Sequence, residues 1–164
     1  MVRMLTDVNV PRAEFDVLAR RYQDELVRYA HERTGRMEDA ADIVQGSLLK
    51  AWQVFCEGAR PDNPRAWLYR IVHNEASNFR RGESRRKNLA LPAVPPDTLL
   101  SAEARETAEA VRALPSPFGE AIVLHYLQGL SIAETAEALG VPLGTAKSQI
   151  GRGLELLRER IGGK

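Results

Sequence analysis

The chain has 164 residues, of which 44% are hydrophobic and 27% charged, and a formal net charge of +1 at pH 7; this is the composition of a globular protein with one domain or two small ones. Its single cysteine, Cys56, excludes an internal disulfide and a cysteine-built zinc site. No apolar stretch approaches the roughly 20 residues that span a bilayer and no secretory signal opens the chain, so we expect a cytoplasmic protein without a metal or a cofactor.

The charge of the chain is concentrated in one segment. Residues 60–90 carry eight Lys and Arg against three Asp and Glu, whereas residues 91–110 carry one against four. A nearly neutral chain with one strongly basic segment is expected to meet a polyanion at that place.

Apolar residues spaced three and four apart predict three helices in the first half of the chain. The first contains Phe15 and is expected to end at Gly35. The second runs from about residue 38 to 55. The third opens at Asn63, a good N-cap, with Pro64 in the first helical position. No alternating strand pattern is present, so the sequence predicts an all-α protein.

The helical periodicity lapses between Arg86 and Ser101, where three of the nine prolines of the chain occur. Proline lacks a backbone donor and ends helices, so this segment is predicted to be a linker. We therefore expect two helical domains, at residues 1–86 and 102–164, joined by a linker at residues 87–101.

Four further helices are predicted beyond this linker, at about residues 101–113, 116–128, 131–139 and 143–160. Ser116 before Pro117 is predicted to be the N-cap of the second of them. Ser131 and Glu134 have the spacing of a capping box, in which each side chain accepts a hydrogen bond from the other residue's backbone N–H.

The last two predicted helices have the pattern of a helix-turn-helix, with a short turn at Gly140–Val141–Pro142 between them. Ala136 is small enough for the helices to approach, and Gly140 allows the left-handed backbone that the turn needs. The second helix carries polar side chains that can donate to phosphates or read base edges in a major groove. These are Thr145, Lys147, Ser148, Gln149 and Arg152. The spacing alone also fits a plain helical hairpin whose polar face is solvated.

The third helix and its tail combine cations with aromatic and amide side chains. That mixture suits single-stranded nucleic acid, because cations follow the backbone while flat groups stack on unpaired bases. The cations are Arg70, Arg80, Arg81, Arg85, Arg86 and Lys87, and the interleaved residues are Trp67, Tyr69, His73, Asn74, Asn78 and Phe79. Trp67 and Phe79 lie on the apolar stripe and are expected in the core. A solvated basic face is the alternative.

The second helix carries polar residues away from its apolar side and resembles an ordinary surface helix when considered alone. The sequence also contains no phosphate-binding glycine loop, no HExxH motif and no Ser or Cys nucleophile placed with a base. It therefore does not predict an enzyme.

Taken in order, these segments resemble a bacterial RNA polymerase sigma factor of the extracytoplasmic-function (ECF) type. The resemblance covers roughly residues 12–161. It rests on RRYQDELVRYA, DAADIVQGSLLKAW, NPRAWLYRIVHNEASNFRR, LPSPFGEAIVLHYLQGLSIAETAEALGVPLGTAKSQ and LELLRERI. It implies a two-domain helical protein that binds core RNA polymerase and directs it to promoters by recognising −35 and −10 elements.

The resemblance also implies a place for each candidate residue. Asp39, Asp42 and Gln45 would bind the clamp helices of the polymerase β′ subunit. The third helix would engage the −10 element and hold its separated strand through Asn74, Asn78, Arg80 and Arg81. The helix-turn-helix would read the duplex −35 element through Thr145, Lys147, Ser148, Gln149 and Arg152. Its domain would also meet the flap of the β subunit. The resemblance implies an anti-sigma factor as a further partner.

Five positions depart from the family pattern. Gly46 stands where an acidic residue is common, and Thr135 and Ala146 stand where larger aliphatic residues are usual. Gly151 and Gly153 lie inside the recognition helix, where an exposed glycine costs about 1 kcal/mol relative to alanine. We therefore expect a loosely packed helix-turn-helix whose last helix becomes firm only on polymerase or a partner.

Two other function classes stay open on the sequence. One is a DNA-binding regulator that uses the helix-turn-helix and has lost polymerase docking. The other is a sigma-like decoy that sequesters an anti-sigma factor without touching DNA.

Overall fold

The computed structural model describes residues 9–86 and 102–162, and these fall into two compact units on either side of the gap. All regular structure within these two ranges is helical, which confirms the predicted all-α class. The predicted linker at 87–101, and the side chains of Arg85, Arg86 and Lys87 in the basic segment, lie outside the described residues. None of the described helices combines the length and the apolar character needed to cross a membrane.

The first unit is a bundle of three helices, α1 (Asn9–Thr34), α2 (Met37–Cys56) and α3 (Pro64–Arg86). Both predicted boundary signals are present. Gly35 has a left-handed backbone, with φ 74°, and its N–H donates to the carbonyl of His31. The side-chain oxygen of Asn63 accepts from the N–H of Ala66 at 3.1 Å, so Asn63 caps α3 as predicted.

The core of this bundle contains aromatic and aliphatic side chains from all three helices. Its fully buried large residues are Leu26, Tyr29, Val44, Leu68, Tyr69 and Val72. Tyr69 and His73 were grouped with the nucleic-acid candidates of α3, and that grouping is wrong because both are buried. The hydroxyl of Tyr29 lies 2.8 Å from Nδ1 of His73, and burial together with the charge of Glu25 raises the pKa of Tyr69.

Charged side chains fasten α3 to its neighbours on its packed sides. Arg65 donates from Nε and Nη2 to the two carboxylate oxygens of Glu25 on α1, each at 2.9 Å. Lys50 of α2 lies 2.7 Å from a carboxylate oxygen of Glu75 on α3. The buried residues of α3 decide which of its residues point outward, and these pairs lie beside that buried stripe.

The second unit has four helices within residues 102–162. They are α4 (Ala102–Arg112), α5 (Phe118–Ile122), α6 (Ile132–Leu139) and α7 (Leu143–Gly162). A single π-helical turn, Val123–Leu127, continues α5. The predicted helix at 116–128 therefore begins at Phe118 and changes type half-way. Ser116 does not cap it: Pro117 occupies the N-cap position and no side chain caps the helix, while the hydroxyl of Ser116 donates to the carboxylate of Glu120 at 3.1 Å.

The helix-turn-helix is formed by α6 and α7. The predicted capping box is present, since Ser131 Oγ accepts from the N–H of Glu134 at 3.1 Å and Glu134 Oε2 accepts from the N–H of Ser131 at 2.8 Å. Gly140 has φ 68° and ends α6 in the left-handed conformation that the turn requires. Ala136 and Ala146 are both buried in this small core.

Gly153 has a packing role that the sequence did not reveal. A Cβ on Gly153 would lie 2.6 Å from Cγ1 of Ile122 and 3.1 Å from the carbonyl oxygen of Phe118. The missing side chain therefore allows α7 to lie directly against α5. The cost of an exposed glycine therefore does not apply to Gly153, which is buried in this contact.

Candidate nucleic-acid and polymerase interfaces

The outward side of α3 carries a strip of amide and guanidinium groups. A helix turns about 100° per residue, so Asn74, Asn78 and Arg81, at steps of four and three, lie on one side. All three are exposed. Arg81 Nη2 donates to Oδ1 of Asn78 at 2.7 Å. We call these three residues the α3 strip.

Arg80 does not belong to the α3 strip. It is half-buried and lies about 100° around the helix from Arg81, toward the packed side. Arg70, one turn before Asn74, is exposed and extends the strip toward the start of α3, where Trp67 is half-buried on the same side. A helical projection of the sequence would have separated Arg80 from Arg81 and brought Arg70 into the set.

The outward side of α2 carries Asp42 and Gln45, both exposed. Asp39 is less accessible, with 22% of its side chain exposed and an oxygen 3.6 Å from Nε of Arg36. Leu49, one turn after Gln45, is 64% exposed and places an apolar group next to these polar ones. The sequence analysis missed Leu49, although its position off the apolar stripe is visible in the helical spacing.

Gly46, the family departure on α2, has free space around it. A Cβ added there would meet no atom of the described residues within 4 Å. The glycine is therefore not required by the packing of the first unit.

The five polar candidates of α7 do not share one face. Ser148 and Arg152 are exposed, one turn apart, on the side opposite the buried Ala146. Thr145, seven residues before Arg152, lies within about 20° of it around the helix axis and is exposed on the same side, whereas Lys147 is exposed at the edge, about 100° from Ser148.

Gln149 turns toward the core. It is half-buried, and its Oε1 is buried without a hydrogen-bond partner among the described residues. The structure therefore brings Thr145, Ser148 and Arg152 together and moves Gln149 away from the surface on which it was expected.

Arg152 has a partner on its own helix. Its Nη1 donates to Oε2 of Glu155 at 2.8 Å, and both side chains are more than half exposed. This hydrogen bond and the negative charge of Glu155 raise the pKa of Arg152. Ser148 donates to the carbonyl of Gly144 at 3.0 Å, and Gly151 has no atom of the described residues near its missing Cβ.

The π-helical turn exposes two large apolar side chains, Tyr126 and Leu127. Next to them, Nδ1 of His125 lies 2.6 Å from the carbonyl oxygen of Leu130. A carbonyl only accepts, so this ring nitrogen carries the proton. The contact ties the middle of the π turn to Leu130, two residues before the start of α6.

Comparison with known proteins assigns both units to one family. Residues 18–86 match the family model of Sigma-70 region 2, and residues 104–157 match that of Sigma-70 region 4. The ECF RNA polymerase sigma-E factor of Haemophilus influenzae is 30% identical over 166 residues, which cover 90% of this chain and 87% of that protein. The chain belongs to the ECF sigma factors.

Other members show similar agreement. The ECF sigma factor SigE of Mycolicibacterium smegmatis is 32% identical over 90% of this chain, which spans 61% of the length of that relative. SigW of Bacillus subtilis is 27% identical over 85% of this chain and 84% of its own.

Two solved structures share the fold. The sigma factor RpoE of Bartonella quintana, in complex with the anti-sigma factor NepR, has a TM-score of 0.75 and 26% identity over 91% of this chain and 97% of that one. CnrH, in complex with the cytosolic domain of CnrY, has a TM-score of 0.70 and 25% identity over 93% of this chain and 90% of that one.

The family assignment confirms the sequence prediction of an ECF sigma factor. Sigma factors are transcription regulators, and promoter-specific initiation is the function of the family. Both regions are matched in order, and a regulator that uses only a helix-turn-helix needs no region 2. The comparisons therefore do not favour either the regulator that has lost polymerase docking or the sigma-like decoy.

Proposed function

We propose that this sigma factor binds core RNA polymerase and promoter DNA with a separate task for each domain. Residues 1–86 dock on the polymerase and open the −10 element, and residues 102–164 read the −35 element as duplex DNA. Residues 87–101 connect the two tasks. The mechanism is binding and strand separation without covalent chemistry, and it takes place in the cytoplasm.

The α3 strip carries this proposal. Strand opening costs about 1.4 kcal/mol per stacked step, so the separated strand must be held by new contacts. Asn74 and Asn78 offer amide donors and acceptors for base edges, and Arg81 offers a cation for the backbone. Arg80 stays in the proposed site with a smaller part, because it is half-buried on another side of the helix.

Docking on the β′ clamp helices is assigned to the outward side of α2. Asp42 and Gln45 supply polar contacts, Asp39 lies at their edge, and the exposed Leu49 adds an apolar contact between them and the end of the helix. An apolar centre within a polar rim is the usual composition of a protein–protein interface.

Recognition of the −35 element is assigned to α7. Thr145, Ser148 and Arg152 face the groove, while Lys147, at the edge of this side, is placed for a phosphate that flanks it. Gln149 is half-buried, so it can contact the DNA only by extending outward from that position. The exposed Tyr126 and Leu127 offer an apolar surface of the same domain for the β flap.

An anti-sigma factor completes the set of proposed partners. The structures of Bartonella quintana RpoE and of CnrH both contain a second protein, named in the first case as an anti-sigma factor. We extend that kind of partner to this chain because the fold is similar over nearly its whole length.

Run-off transcription tests the function directly. Core RNA polymerase is combined with this chain and a pool of upstream fragments from the host genome, and specific transcripts are expected only when the chain is present. Absence of transcripts while the chain still binds polymerase would contradict promoter recognition.

A matched pair of variants tests the α3 strip in the same assay. Arg81→Gln removes an exposed cation and is expected to reduce open complexes about tenfold, the value of a lost charge-assisted hydrogen bond. Arg80→Gln removes the same charge one residue earlier and is expected to have a much smaller effect. Equal losses in the two variants would mean that charge, and not the position on α3, is what matters.

A further inference from the structure

The outward side of α7 contains an acidic residue where a DNA-binding surface is proposed. Glu155 lies one turn after Arg152 and is more than half exposed. A carboxylate near phosphates is repelled by them, and at physiological salt such repulsion acts over about 8 Å. Its presence beside the main cation of this surface therefore needs an explanation.

We propose that Glu155 is a positioning residue, which holds the guanidinium of Arg152 in the orientation that recognises a guanine of the −35 element. The inference rests on the proposed function of α7. The observation that carries it is the 2.8 Å hydrogen bond from Nη1 of Arg152 to Oε2 of Glu155.

The geometry of arginine explains why positioning matters. Arginine recognises guanine by donating two parallel hydrogen bonds to O6 and N7, which requires the planar guanidinium to lie in the plane of the base. With Nη1 bound to Glu155, the donors on Nη2 and Nε stay available for this contact. A long side chain without such a tether also reaches phosphates, which carry no sequence information.

The neighbouring surface leaves room for this contact. Gly151 precedes Arg152 on an exposed part of α7 and has no side chain to hold the DNA away. Ser148, one turn earlier, is short, and its hydroxyl is bound to the carbonyl of Gly144. The tethered Arg152 is therefore the longest group at the centre of this side.

Charge and positioning make opposite predictions for the loss of Glu155. If the residue acts only by repulsion, its neutralisation strengthens binding to every sequence equally. If it positions Arg152, its removal lowers the preference for one base pair and leaves the other positions of the element unchanged. Glu159, one turn further along α7 and also exposed, provides a control with the same change of charge.

The test uses holoenzyme assembled from core polymerase and the full chain. Promoters with a randomised −35 region are transcribed, and the transcripts are sequenced to give the base preference at each position. Wild type, Arg152→Ala, Glu155→Ala, Glu155→Gln and Glu159→Gln are compared. Circular dichroism shows that each variant keeps its helical content.

The inference expects a guanine preference in the wild type that Arg152→Ala removes. Glu155→Ala should reduce the same preference about tenfold, within the range that one bidentate contact supplies. Glu155→Gln, which keeps a neutral acceptor, should have an intermediate effect. Glu159→Gln should leave the base preferences unchanged.

Other outcomes separate the inference from the function on which it rests. If Arg152→Ala removes the preference and Glu155→Ala does not, α7 recognises DNA but Glu155 does not position Arg152. Loss of a cytosine preference in the Glu155 variants, with the guanine preference intact, would mean that Glu155 contacts a base itself. If the wild type shows no −35 preference, or Arg152→Ala leaves it intact, the proposed role of α7 fails as well.

Discussion

Thr135 places a hydroxyl in the core of the helix-turn-helix without a partner. Its side chain is fully buried, and Oγ1 has no hydrogen-bond partner among the described residues. A buried hydroxyl that lacks a hydrogen bond costs about 1–3 kcal/mol. Thr135→Val replaces it with a methyl group of similar volume and keeps the β-branched shape, so helix propensity changes little. We expect the variant to raise the opening free energy of this core by about 1–2 kcal/mol.

Hydrogen–deuterium exchange of the full chain measures this change locally. At about 1.4 kcal/mol per factor of ten, amides of α6 and α7 should exchange about 5- to 30-fold more slowly in Thr135→Val. Amides of α1–α3 provide an internal control and should not change.

A second variant separates the hydroxyl from the methyl group of Thr135. Thr135→Ser keeps the oxygen and deletes the methyl group, so it should destabilise the same core by about 1 kcal/mol. The reasoning is refuted if Thr135→Val exchanges as fast as the wild type or faster, because the hydroxyl would then have a hydrogen bond in solution.

Three more predictions concern residues of the two units. Gly153→Ala should lower the melting temperature, because overpacking the contact with α5 costs about 1–3 kcal/mol. Gly151→Ala places its methyl group in open space and should raise the melting temperature through a gain in helix propensity of about 1 kcal/mol. The opposite order of the two variants in thermal denaturation would contradict the packing of α7. Leu49→Asp should weaken binding to core polymerase at least tenfold in a competition assay without loss of stability, and Val17→Asp, an equally exposed change on α1, should not. The pKa of Tyr69 is raised in the folded state, so its neutral form stabilises the fold fully below about pH 10, and this stability is lost as the pH rises further. The free energy of unfolding of Tyr69→Phe should therefore decline less at alkaline pH than that of the wild type. An unchanged decline would exclude Tyr69 as its source.

The sequence predicted the helices well because their signals are local. The capping box at Ser131 and the glycine ends at Gly35 and Gly140 depend on residues within one turn of each other. Ser116 is an exception among the local signals, because the helix begins at Phe118 with Pro117 as its N-cap and the hydroxyl of Ser116 donates to Glu120 instead. The need for Gly153 depends on a helix about 30 positions earlier in the chain, which no local pattern reveals.

The sequence predicted the candidate site residues from their chemical types. The structure corrected this set by showing on which side of its helix each residue lies. Polar and aromatic residues of α3 were grouped because they are close in sequence, yet Tyr69 and His73 face the core while Asn74 faces outward. The same holds for Gln149 among the candidates of α7. Glu155 was left out of the prediction because an acidic residue does not look like a DNA contact until its hydrogen bond to Arg152 is seen.

The hydrogen bond between Arg81 and Asn78 has a consequence for the energetics of strand capture. In the unbound chain Nη2 of Arg81 already donates to the amide oxygen of Asn78, which uses one of the five N–H donors of the guanidinium and occupies the acceptor of the amide. A base edge that takes this amide oxygen replaces an existing bond, so the net gain of that contact is that of an exchange, about 0.5–1.5 kcal/mol. A few such gains do not match the cost of separating several base pairs. The α3 strip therefore binds the separated strand only weakly. It retains a strand that has opened by fluctuation, but it cannot separate the duplex without help from the polymerase.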